Sequence, residues 1–138
     1  MMNFIESRNR HFIEAARRVI RELPAGESIS IVEVARKAAM SRAPHYYCTY
    51  EYALRVLRVM AHGRLGMRRD RRRAMFEELR AKCDRYMEAH PGCRLPEALG
   101  YVLSSESASQ FFISESTALR LVQQLRGVAS AAPERRAC

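Results

Sequence analysis

The stretch "SIVEVARKAAMSRAPHYYCTYEYALRVLRVM", residues 30–60, decides the fold class. Ser30 and Glu33 have capping-box spacing, which satisfies two of the free N–H groups that open a helix. Behind them Ile31, Val34, Ala35 and Ala38 recur with the helical period, so a short helix is expected there. A brief turn at Ala39 and Met40 leads to Ser41, a second candidate cap. From Ser41 a longer helix is expected through Met60, with Pro44 in its first turn, where a missing N–H costs little.

Working outward, Phe12, Ile13, Ala16, Ile20 and Leu23 share one helical stripe over residues 8–23, which Pro24 and Gly26 end. On the other side, Met75, Phe76, Leu79, Cys83, Tyr86 and Met87 trace one face of a long helix from Asp70 to "HPG" at 90–92. Leu95, Ala98, Leu99, Val102 and Leu103 predict a fifth helix with Pro96 in its first turn. "ESASQFF" at 106–112 predicts a sixth and residues 115–126 a seventh, with Ser114 as its cap. No stretch alternates as a strand does. The expected fold is all-α, about seven helices with one or two helix-turn-helix units. Residues 1–63 form the N-terminal unit, 64–126 a helical part with a second such unit, and 127–138 a flexible tail, all within one compact domain.

The chain of 138 residues, 48% hydrophobic, is long enough to bury a core without disulfides. Its net charge is +9, and all but two of its 24 basic residues, Lys37 and Lys82, are arginine. Arginine's planar fork suits phosphates and guanine edges, so the composition favours nucleic acid or an acidic partner. Cys48, Cys83, Cys93 and Cys138 have no repeated spacing, and the chain does not open on an apolar leader. They are expected to be reduced thiols of a cytoplasmic protein. Cys83, His90 and Cys93 lack the paired short spacing of a zinc site, and no apolar run is long enough to span a bilayer. His11, His45, His62 and His90 have no Ser, Cys or Asp partner by spacing, so no enzyme activity, cofactor or metal is expected.

Residues 8–56 resemble the DNA-binding half of tetracycline-repressor-type regulators: an amphipathic first helix, Ile31, Val34 and Ala35 in the second, Ser41 opening the third, then Tyr46. The resemblance implies a recognition helix that presents Arg42, His45, Tyr46 and Tyr47 to the major groove. The chain departs from that pattern at Ala39, where a glycine is usual, and is too short for the family's ligand-binding domain. A second stretch, "SASQFFISESTALRLVQQLR", resembles the general bacterial helix-turn-helix pattern and would turn Ser116, Thr117, Arg120, Gln123 and Gln124 outward. Phe112 fits that pattern poorly, because its turn favours a positive φ that a bulky residue adopts at a cost. Ordinary helical hairpins would account for both stripes as well.

"GRLGMRRDRRRAMFEEL" places Arg64, Arg68, Arg69, Arg71, Arg72 and Arg73 about the start of the fourth helix. Cations there oppose the helix dipole, and a bound phosphate would reverse that penalty. The sequence therefore points to double-stranded DNA as partner and to a homodimer reading two half-sites, in a small transcriptional regulator or mobile-element accessory factor. The alternative is a helical interaction module for an acidic protein.

Overall fold

The structure, a computed structural model, describes residues 4–63 and 70–125. The described residues are all-α, with six helices: α1 (Phe4–Arg21), α2 (Ile31–Ala39), α3 (Tyr50–Ala61), α4 (Asp70–Ala89), α5 (Leu95–Ser105) and α6 (115–125). The expected helix at 106–112 does not form, and residues 41–49 are likewise not helical.

Caps show why. Ser30 Oγ accepts the Glu33 N–H at 3.1 Å and opens α2 as its spacing predicts. Ser41 does not open a helix. Its hydroxyl donates back to the Ala38 carbonyl at 2.6 Å and so closes α2. The cap of α3 is Thr49, whose Oγ1 accepts the Tyr52 N–H at 3.2 Å. Ser114 is the cap of α6, accepting the Thr117 N–H at 3.2 Å.

What holds 41–49 out of a helix is Ala43. Its N–H donates to the Ala108 carbonyl at 3.0 Å, and the Ala108 N–H donates back to the Ala43 carbonyl at 2.8 Å. Both polar groups of each residue are thereby committed to a distant segment, and Pro44 disfavours the α conformation at Ala43 as well. Both alanines are buried, 0% and 1% exposed. Residues 106–114 are diverted in the same way. There Phe112 adopts φ 52, so the turn takes the left-handed geometry at the residue least suited to it.

The chain is an internal repeat. "APHYYCTYEYALRVL" (43–57) and "ASQFFISESTALRLV" (108–122) align without a gap, with Ala43 and Ala108, Ala53 and Ala118, Leu54 and Leu119, and Arg55 and Arg120 identical. Burial repeats too: Tyr46, Ala53, Val56 and Leu57 are buried, and so are Phe111, Ala118, Leu121 and Val122. Upstream, Phe12 and Ala15 of α1 correspond to Phe76 and Leu79 of α4. Val34, Ala35 and Ala38 of α2 correspond to Ala98, Leu99 and Val102 of α5, and all ten are buried. Gly26 and Gly92, at φ 85 and 90, make the left-handed turns that precede α2 and α5.

Each repeat therefore has three helices, yet the compact units do not follow the repeats. One unit is Met1–Arg42 with Ser109–Cys138, containing α1, α2 and α6; the other is Ala43–Ala108, containing α3, α4 and α5. In the first, α1 packs on α2, Phe111 meets Phe12 edge-to-face at 5.6 Å, and the Phe111 N–H donates to the Ala39 carbonyl at 3.0 Å. In the second, α3 packs on both α4 and α5, which also pack on each other. The repeats have exchanged their third helices. The boundary near residue 63 marks the repeats, whereas the compact units divide at 42/43 and 108/109.

Tyr46 anchors the second unit. It is buried, and its hydroxyl donates to Glu78 Oε2 on α4, while Lys82 Nζ lies 5.1 Å from its ring centre. Lys82 in turn donates to the Ser107 carbonyl and sits 3.8 Å from Glu78 and 3.6 Å from Glu106. Burial first, and the Glu78 hydrogen bond second, hold the Tyr46 phenol above its usual range, so it stays a donor.

Two stability outcomes are expected. Tyr46→Phe keeps the ring but removes the donor to a carboxylate, lowering stability by about 1–3 kcal/mol in urea unfolding. Ala43→Leu and Ala108→Leu, which force side chains into filled space at the crossing, should each cost about 1–3 kcal/mol or more in the same assay.

Candidate nucleic-acid interface

The late start of α3 changes which residues its outer face carries. Arg42, His45, Tyr46 and Tyr47 precede the helix and do not open it. Arg42 is exposed, His45 and Tyr47 meet edge-on at 6.0 Å, and Tyr46 is buried against α4. Their expected place on a recognition helix is thus corrected: the Ala43–Ala108 pairing keeps this segment out of a helix, and the tyrosine ring is buried.

The face that α3 does expose carries Tyr50, Glu51, Arg55, Arg58, Val59 and His62. These residues and Leu54 line an open, mainly apolar depression of about 470 Å³. Sequence reasoning missed Arg55 and Arg58 because a helix begun at Ser41 makes them late positions. The signal that finds them is the repeat, which sets Arg55 opposite Arg120.

Arg71, Arg72 and Arg73 lie in the first turn of α4 and are exposed. Arg64, Arg68 and Arg69 fall outside the described residues. Tyr52 of α3 joins the cluster to the α3 face. The Arg55 guanidinium lies 5.2 Å from its ring centre and that of Arg72 lies 5.9 Å away. Arg72 Nη1 also reaches the Tyr52 hydroxyl at 3.5 Å, the outer limit of a hydrogen bond. Phe76, fully buried, holds the tyrosine ring edge-on at 5.7 Å. A single aromatic ring on a rigid support thus gathers arginines from two helices.

On α6, Glu115, Ser116, Arg120, Gln123 and Gln124 are exposed on the outer face. Thr117 is half-buried, and its Oγ1 accepts the Ser114 hydroxyl at 2.7 Å, which ties it to the cap. Of the expected C-terminal candidates, Ser116, Arg120 and Gln124 face outward together and Thr117 serves the helix start.

Among the described residues no group of three or more His, Cys, Asp or Glu side chains is placed to hold a metal ion. Burial pushes the Cys83 thiol up to about 11, which keeps it protonated at neutral pH and poor as a nucleophile. Among the described residues no helix is long and apolar enough to cross a membrane. No family model matches the chain, and comparison with curated proteins and with solved structures returns no match.

Proposed function

We propose that this protein binds double-stranded DNA in a sequence-directed manner, as a small transcriptional regulator or mobile-element accessory factor acting in the cytoplasm. The observation that carries the reading is the Tyr52 junction, where Arg55 of α3 and Arg72 of α4 lie over one ring. Two guanidinium groups drawn to one ring repel each other, and an anion beside them relieves that repulsion. The phosphates of a duplex are anions spaced along a line, which a row of arginines on a helix can follow. Arg71, Arg72 and Arg73 then grip the backbone, and the exposed face of α3 meets base edges, where Arg55 and Arg58 have the fork that suits guanine. The net charge of +9 strengthens attraction to any duplex.

The mainly apolar depression lined by Arg55 and Arg58 supports a second reading, an amphipathic acidic helix of a protein partner laid in it. Salt separates the two. Bound DNA releases condensed counterions, so log affinity falls linearly with log salt at about −0.9 per phosphate contacted.

Replacing Arg71, Arg72 and Arg73 with alanine should weaken binding to random and selected duplexes alike and flatten the salt slope by about 0.9 per lost phosphate contact. A salt titration by fluorescence anisotropy measures this. Unchanged affinity and slope would remove the cluster from the interface; no salt-dependent duplex binding by the unmodified protein would remove DNA as the partner.

A further inference from the structure

Resting on the DNA-binding reading, we propose that α3 and α6 are equivalent reading helices, so that one chain engages two related half-sites, with Arg55 and Arg120 making the same contact in each. Neither helix alone suggests this; their correspondence does.

The equivalence extends through the whole of both helices. Thr49 and Ser114 are their caps, each accepting an N–H three residues on at 3.2 Å. Ala53, Val56 and Leu57 are the buried face of α3, and Ala118, Leu121 and Val122 that of α6. With caps and buried faces in the same register, the outward faces share it too, since residues project at 100° steps around a helix. Arg55 and Arg120 are both exposed at matching positions, as are Tyr50 and Glu115, Glu51 and Ser116, Arg58 and Gln123, and Val59 and Gln124. What matches is thus the arginine, while the surrounding face differs. Related but unequal half-sites follow, because bidentate arginine favours guanine whereas glutamine favours adenine.

The matching arginines repeat in position and not in contact. Arg72 of α4, which shares Tyr52 with Arg55, corresponds to Arg8 of α1, in the same compact unit as Arg120, but Arg8 donates to Asn9 Oδ1 and Thr117 stands where Tyr52 does. Each unit therefore supplies a reading arginine on its third helix and another arginine at the matching place on its long helix. Duplex DNA is the occupant because arginine, which pairs bidentately with base edges and phosphates, stands on both faces: Arg55 and Arg58 with Glu51 on α3, and Arg120 with Glu115 on α6. The duplication places in one chain the two reading helices that otherwise require a homodimer.

The test is a binding-site selection on the full chain and on Arg55→Ala and Arg120→Ala, with circular dichroism to verify folding and sedimentation to count chains per duplex. The expected result is a site with two related base patterns bound by one chain. Each variant should relax preference about tenfold at the corresponding position of a different half-site. Arg55→Lys and Arg120→Lys, which keep the charge but lose the fork, should relax the same positions while leaving the salt slope unchanged. A single unrepeated pattern, both variants relaxing one position, a silent Arg120 variant, or two chains bound to one site would overturn the inference while leaving DNA binding in place. Absence of salt-dependent binding to any duplex would overturn the parent reading and this one with it.

Discussion

Everything in the fold turns on the pair Ala43 and Ala108. Equivalent residues of the two repeats exchange both backbone hydrogen bonds, a pairing that brings Cα atoms within about 5.5 Å of each other. Their side chains are buried to 0% and 1% exposure, so a methyl group is what the crossing holds. Because this pairing uses the N–H and C=O of each residue, neither segment can feed a helical ladder there. Helices α3 and α6 begin only after the crossing, capped by Thr49 and Ser114.

Exchange of third helices keeps the contacts that closed modules would make and alters mainly the hinge, so it carries little energetic cost. Polar matching favours the exchanged arrangement: the Tyr46 hydroxyl finds its acceptor in half-buried Glu78, whereas the corresponding Glu14 of α1 is exposed.

The helical periods of α1, α2, α4 and α5 were legible in the sequence because each has a local apolar stripe and a local stop. Ser30 and Ser114 were legible as caps for the same reason. Residues 41–49 were not, because Ser41 and Pro44 imitate a helix start, and the partner that forbids one, Ala108, lies in the other repeat. The misfit of Phe112 was a real signal, since that residue does take φ 52. The arginine cluster was legible as charge, but its junction with α3 through Tyr52 depends on how α3 packs on α4. The paired "YY" and "FF" doublets, each following a buried alanine, were the overlooked clue that two faces rather than one should be compared.

The exchange is tested most directly by double-mutant cycles on two pairs that each join one repeat to the other, Phe12 with Phe111 and Tyr46 with Glu78. Unfolding free energies of Phe12→Ala, Phe111→Ala and the double variant should show a coupling of about 0.5–3 kcal/mol. Tyr46→Phe with Glu78→Gln should couple within the same range. Additivity in both cycles, with coupling appearing instead between Phe12 and Tyr46, would mean that each repeat closes on its own third helix and would contradict the account.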